Sequence, residues 1–466
     1  MANTKSPAEA SHPEVIETAA LEHVWFHATP REALAAPGGM TVFARGEGCY
    51  LTDIHGRTYL DGLSGGAFVT NIGHGRQEVA QAMAEQAARL AYVMSYNFVA
   101  PPTVSLAEKL AQLAPGDLNR VFFTSGGSES VEAGVKIARQ YHFLNGDRKR
   151  TKVISRHGSY HGSTYLAMSL SGASHDYNSR MFEPLAPGCV QVPWHNCYRC
   201  EFGLTYPKCD ILCVRSVEQA ILHEGPDTVA AIIAEPVPAA ATIHVPPPEY
   251  LPQLRAIADK YGVLLIVDEV IDGFGRTGKL FACQHWGVVP DIMTVAKGLT
   301  SGYAPMGAAI TGPKVTARFA ASPGRDGGLN QVFSFGGHAV AAAAALKNLE
   351  ILEREHLVEN SSKMGAYLLE GLSELKRHPL VGDVRGLGLL AGIELVRSKS
   401  TREPFKPADQ MPARVTAYMR EQGLLARTYQ VIEVGPPLVA TTKEVEEIVR
   451  IVERTVHWFA HEMGVA

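Results

Sequence analysis

Long apolar runs are what this 466-residue chain most plainly lacks. No stretch approaches the roughly 20 residues that a membrane-spanning helix requires, so no membrane partner is expected. Charge of one sign is also scarce: 43 Lys and Arg stand against 47 Asp and Glu, for a net charge of −4. The longest basic run is Arg148–Arg150, which gives no electrostatic footprint for nucleic acid or an anionic surface. The seven cysteines are an odd set, and the opening residues "MANTKSPAEASHPEV" contain no apolar signal core. Both features lead us to expect reduced thiols in a cytoplasmic protein. Internal repeats are absent, and "AVAAAAALKNLE" (Ala339–Glu350) reads as a closely packed helix, not as a low-complexity tract. What remains is the composition of an ordinary globular enzyme, 46% apolar and 19% charged.

The middle of the chain alternates between two periods. "RVFFT" (Arg120–Thr124), "KVISR" (Lys152–Arg156), "VAAIIAEP" (Val229–Pro236) and "VLLIVDEV" (Val263–Val270) read as strands. "SVEAGVKIARQYHF" (Ser130–Phe143) and "YLPQLRAIADKYG" (Tyr250–Gly262) have helical spacing. Near-continuous apolar strands separated by helices predict an α/β fold with a mostly parallel central sheet covered on both faces. Upstream, residues 1 to about 30 read as a helical arm, and Thr41–Tyr59 shows two strand-like runs with glycine turns. Downstream of Ala339, helices surround a hairpin at Gly382–Val396. The expected division is an N-terminal segment (1–75) belonging to a smaller α+β domain, a large α/β domain (76–338), and the remainder of the small domain (339–466).

Three apolar strands end in ionisable residues, Glu235, Asp268 and Lys297. Ligands of open α/β sheets sit beyond the carboxyl ends of the strands. A buried charge there is costly unless it is paired or used. One such residue could simply bond a loop, whereas three at one edge indicate a site. "FFTSGGSESVEAGVKIAR" (Phe122–Arg139) adds a strand–Gly-Gly–helix turn suited to a phosphate, with Ser128 or Ser130 opening the helix. It is not a P-loop, because the Gly-Lys-Ser/Thr ending is missing. "HGSYHGST" (His157–Thr164) offers Tyr160 as an aromatic plate. A lysine, an aspartate, a phosphate cradle and an aromatic plate together fit pyridoxal 5′-phosphate. The lysine would form the Schiff base, and the carboxylate would keep the pyridine nitrogen protonated.

At this point the sequence resembles the class III aminotransferases, pyridoxal-phosphate enzymes of fold type I. The likeness runs from "LEHVWFHATP" to "VGPPLVATTKEVEEIV" and is densest in Leu264–Ala308, where Asp-Glu-Val, Gly-Arg-Thr-Gly, apolar-Pro-Asp and Ala-Lys-Gly all occur. The resemblance implies that Lys297 and Asp268 are catalytic. It further implies that Gly127 and Ser128 hold the phosphate and that Tyr160 stacks, with His161 and Gly162 behind it. Val270 would press the opposite ring face beside Ile271, and Glu235 would stand near cofactor and substrate. Ser334, where the family usually has threonine, would reach the phosphate of a neighbouring subunit. Active sites at the interface of a homodimer or homotetramer are therefore implied.

Ile271 after "DEV" resembles the amine:pyruvate and ω-transaminase branch, whereas the ornithine and 4-aminobutyrate branch usually carries glutamine there. The implied reaction moves an amino group from an ω-amino acid or primary amine to an oxo acid, pyruvate being preferred, with ping-pong kinetics. Phe68 matches that branch's aromatic pocket position, Trp25 and Tyr96 are further candidates, and Arg427 would take the acceptor's carboxylate. The alternatives are a 2-oxoglutarate-using aminotransferase, an aminomutase, a decarboxylase, or a non-catalytic descendant. Loss of the lysine or aspartate would mark the last, and both are present. Cys197, Cys200, Cys209 and Cys213, with His195 nearby, have zinc-type side chains, but their spacing departs from the usual pairs. A structural thiol-lined loop and no bound metal are expected.

Overall fold

The computed structural model describes residues 12–36, 38–172, 180–240 and 242–465. The N-terminal arm begins with a helix at Pro13–His23, and residues 1–11 of the expected arm lie outside the described residues. Where two strand-like runs were expected there are three antiparallel strands: β1 (Phe43–Glu47), β2 (Tyr50–Asp53) and β3 (Thr58–Asp61). The second run spans the tight turn after Asp53. Asp53 Oδ1 accepts the N–H groups of His55 and Arg57, which splits the run in two.

The central sheet has seven strands: β4 (Arg120–Thr124), β5 (Lys152–Arg156), β6 (Cys189–Val192), β7 (Val229–Ala234), β8 (Leu264–Asp268), β9 (Ile292–Val295) and β10 (Gly307–Thr311). Their spatial order is β4-β10-β9-β8-β7-β5-β6. Only β10 runs against its neighbours; the other pairings are parallel. Successive residues serve opposite faces. Ala231, Ile233, Leu264 and Ile266 pack under the helix Gly127–Leu144, while Ile232, Ala234, Leu265 and Val267 join the larger core on the other side. Both faces are apolar because both are covered, as parallel strands demand.

The C-terminal part builds a four-stranded antiparallel sheet, with β11 (Val381–Gly386), β12 (Ala391–Leu395), β14 (Arg427–Thr428) and β15 (Val431–Val434) in the order β11-β12-β15-β14. The expected hairpin is β11–β12. A two-residue strand, β13 (Leu424–Leu425), leaves this sheet and pairs in parallel with β3. Residues more than 360 positions apart thereby form one sheet with the N-terminal strands. No helix among the described residues is long and apolar enough to cross a membrane.

Candidate active site

The carboxyl ends of β5, β7, β8 and β9 converge on one edge. Asp268 closes β8 and is buried. Its Oδ2 lies 2.7 Å from His161 Nδ1, and its Oδ1 accepts from Thr294 Oγ1 and the Val270 N–H, each at 3.1 Å. These donors satisfy both oxygens of the buried carboxyl group. Glu235 follows β7 and is also buried. One of its oxygens accepts the Tyr160 N–H at 2.9 Å, and the other takes Arg156 Nη2 at 3.0 Å. Arg156, at the end of β5, bonds the Glu235 carbonyl at 2.8 Å and stands 3.3 Å from His195 Nδ1. Glu235 therefore pins the Tyr160–His161 loop against the strand ends. His161 Nε2 remains without a hydrogen-bond partner, 3.8 Å from the Glu235 carboxylate.

Lys297 follows β9 with φ at +40°, a left-handed backbone unusual for a side chain of this size. Such strain is sustained where the surroundings fix it and often where it is used. Ser301 and Phe68 share the feature, at +50° and +57°. The Ser301 hydroxyl accepts the N–H groups of Asn71 and Ile72, binding the Lys297 turn to the N-terminal segment. Burial, followed by the positive charge of Arg427, pulls the Lys297 ammonium down to about 8, against the opposing pull of Asp268 and Asp272. A lysine held there is part neutral amine near physiological pH. Asp272 is itself buried, with one oxygen on the Val237 N–H at 2.7 Å and the other without a partner. Burial keeps its carboxyl well above the ordinary range.

The helix Gly127–Leu144 begins at Gly127, and neither serine caps it. Ser130 turns inward to Thr124 and the Val295 carbonyl instead. Ser128 Oγ accepts the Ser163 N–H at 3.0 Å, drawing the helix start to the Tyr160–Thr164 loop. The site leaves no room for larger residues here. A Cβ at Gly127 would meet Val270 Cγ1 at 2.7 Å, and one at Gly162 would meet Ser128 Oγ at 2.4 Å. Nothing stands within 4 Å of a Cβ at Gly126. Free amides at the positive end of an 18-residue helix, beside an open glycine and a half-buried serine, form a cradle that a phosphate fits.

On the other side, Phe68 is buried, and Arg427 on β14 places its Cζ 5.6 Å from the Phe68 ring and 5.3 Å from the Tyr429 ring. Gly435 makes this possible, because a Cβ there would strike Phe68 at 2.6 Å. Ile271 and Phe68 belong to the same small apolar cluster. Trp25 and Tyr96 are 99% and 73% exposed, and Ser334 is exposed with its carbonyl accepting from Tyr92. The protomer alone brings none of these three into the pocket. The four cysteines Cys197, Cys200, Cys209 and Cys213 are free thiols lining one narrow cavity. Among the described residues, no group of acids, histidines and cysteines is arranged to hold a metal. Sequence reasoning missed Arg156, Thr294 and Asp272 and met His195 only beside the cysteines; their placement depends on which strand ends become neighbours.

The aminotransferase class-III profile matches residues 34–456. This chain is a class III aminotransferase. A probable aminotransferase of Mycobacterium tuberculosis is 41% identical over 96% of both chains. The taurine–pyruvate aminotransferase of Bilophila wadsworthia is 39% identical over 93% of this chain and 95% of its own length. An (S)-enantioselective ω-transaminase from Thermomicrobium roseum, whose crystal structure is known, superposes with a TM-score of 0.92. Its identity is 39%, covering 96% of this chain and 99% of that one. Class III aminotransferases depend on pyridoxal phosphate, and the aminotransferase described here has the cradle, acid and lysine to fit it.

Proposed function

We propose that this class III aminotransferase moves an amino group from an ω-amino acid or primary amine to pyruvate by a ping-pong mechanism. The observation that carries the reading is the placement of Arg427. Its guanidinium lies over Phe68 and within electrostatic reach of Lys297, where it can hold a carboxylate next to the reacting carbon. Relatives point the same way, one being a taurine–pyruvate aminotransferase and another structure an ω-transaminase.

Bound pyridoxal phosphate supplies an electron sink for the breaking C–H bond of the amine donor. Gly127, Ser128 and the helix amides would hold its phosphate. Asp268, fixed by His161 and Thr294, would pair with its ring nitrogen. Tyr160 and Val270 would confine its ring. Lys297 Nζ would be its covalent anchor and, as a free amine, would hold and move a proton at the substrate carbon. The depressed basicity of that amine suits both tasks. Arg427 orients the acceptor carboxylate, and the neighbouring Phe68 and Ile271 exclude water from the rest of it.

A second copy of the chain completes the site in this reading. The exposed apolar side chains Trp25, Tyr96, Phe98, Val99 and Phe335 support such a contact, and Ser334 adjoins Phe335 in sequence. The seven free thiols support a reducing, cytoplasmic setting. Incubating the holoenzyme with pyruvate and a panel of amines, and measuring alanine, tests the reaction. Borohydride reduction followed by peptide mapping should tag Lys297. Alanine from no donor would remove the pyruvate assignment, and a tag elsewhere would remove Lys297.

A further inference from the structure

The wall that carries Arg427 contains an acid that the cofactor cradle does not require. Glu433 on β15 is wholly buried, and its Oε2 accepts from Arg427 Nε at 2.7 Å and lies 2.5 Å from Nη2. These contacts occupy the Nε–Nη2 edge of the guanidinium and leave the Nη1 end for a ligand.

Sheet register places Glu433 in one cross-strand row, Arg385–Gly392–Glu433–Arg427. Residues in such a row share a face. Gly392 has no side chain to separate the charges on either side, and a Cβ there would sit 3.2 Å from the Thr242 carbonyl. The groups facing Glu433 are Arg427 from β14, Arg385 from β11 and the Thr242 N–H from the segment after β7. Arg385 is itself shared among Asp383, Glu394 and His244 Nε2. Glu394 also binds Arg199, from the cysteine-bearing excursion. Burial outweighs these partners and pushes the Glu433 carboxyl up to about 7.

We propose that Glu433 is a proton-linked counter-ion that sets how strongly Arg427 binds carboxylate acceptors. Ionised, Glu433 competes with the incoming carboxylate for the guanidinium. Protonated, it leaves the guanidinium's positive charge to the ligand. A carboxylate arriving at Arg427 adds a negative charge beside Glu433, so ligand binding draws a proton from solvent onto Glu433. Affinity for carboxylate acceptors should therefore fall as pH rises through the titration of Glu433. Lys297 also titrates, and its ammonium likewise favours a carboxylate over a neutral acceptor, but that contribution persists in Glu433→Gln, so the part of the pH dependence that this variant removes belongs to Glu433. The inference rests on Arg427 being the carboxylate ligand.

The test compares pyruvate with the neutral acceptor butanal, using one saturating amine donor and the holoenzyme, from pH 6 to pH 8.5. In the wild type, the KM ratio of pyruvate to butanal should climb with pH, by about tenfold at most per unit above the Glu433 titration. In Glu433→Gln the ratio should lose most of its rise with pH. Calorimetry of propionate binding, in two buffers of different ionisation enthalpy near pH 7.5, should show proton uptake in the wild type and none in Glu433→Gln. The wild-type uptake needs no variant and serves if Glu433→Gln folds poorly. An Arg427→Ala arm separates the two claims. If Arg427→Ala leaves the pyruvate-to-butanal ratio unchanged, the Arg427 reading falls. If Arg427→Ala abolishes the preference while Glu433→Gln keeps the wild-type pH dependence, or the wild type takes up no proton, only the role of Glu433 falls.

Discussion

The two walls of the pocket are built on different terms. The cofactor wall stands on β5, β7, β8 and β9, four parallel strands in the middle of the sheet, and its acids are locked by two or three partners each. The wall proposed to take the acceptor is made of Phe68 in a left-handed turn, a two-residue strand bearing Arg427, and one cross-strand acid. The first wall is rigid because its positions are over-determined by sheet packing. The second is assembled from short segments, Phe68 and the β14–β15 pair, that meet outside the central sheet, so small changes there should alter choice of substrate without abolishing chemistry.

The largest effect should come from the cofactor wall. Lys297→Ala should lower turnover by about 10³- to 10⁴-fold, since it deletes the proton carrier; steady-state rates with saturating cofactor check this. Arg427→Ala should raise the KM for pyruvate by about 10- to 100-fold, matching one charge-assisted bond of about 1.5–3 kcal/mol. The same change should leave the KM for butanal much less affected, and equal losses would break the distinction between the walls. Gly162→Ala should destabilise the cradle by about 1–3 kcal/mol, because its φ of +130° and the Ser128 contact at 2.4 Å both oppose a methyl group. Thermal melting with and without pyridoxal phosphate reads that loss, which should be greater for the loaded protein.

The smallest effect joins the two walls. Lys297 is held down to about 8 in part by Arg427. Capture of pyridoxal phosphate by the cofactor-free protein needs the neutral amine, so it should quicken as pH rises through that value. Removing the Arg427 charge favours the ammonium and should move the midpoint upward by a fraction of a pH unit. Stopped-flow absorbance measures it, and a midpoint that stays fixed or falls would uncouple the walls.

Legibility in the sequence follows the same divide. Asp268, Glu235 and Lys297 could be found because near-continuous apolar strands end abruptly in charge, and Gly126–Gly127 could be found because a turn into a helix has its own composition. Arg427 could be placed only by resemblance, and Glu433 not at all, since a glutamate within an apolar strand carries no mark of what it faces. Arg156 and His195 were hidden for a related reason: their pairing depends on β5 lying between β7 and β6 in space, an order that the chain does not announce. The three-strand N-terminal meander was underestimated because the Asp53 carboxylate and Gly56, at φ +85°, close a turn inside the second apparent run.

The parallel pairing of β3 with β13 also governs the order in which the enzyme can be made. Leu60 and Asp61 find their partners in Leu424 and Leu425, so the edge of the first sheet stays open until those residues have left the ribosome. Arg427 emerges immediately behind those partners. A nascent chain stalled shortly before residue 424 would carry the strand-end acids and the lysine but not the guanidinium, so on the proposed reading acceptor recognition is acquired after the cofactor cradle.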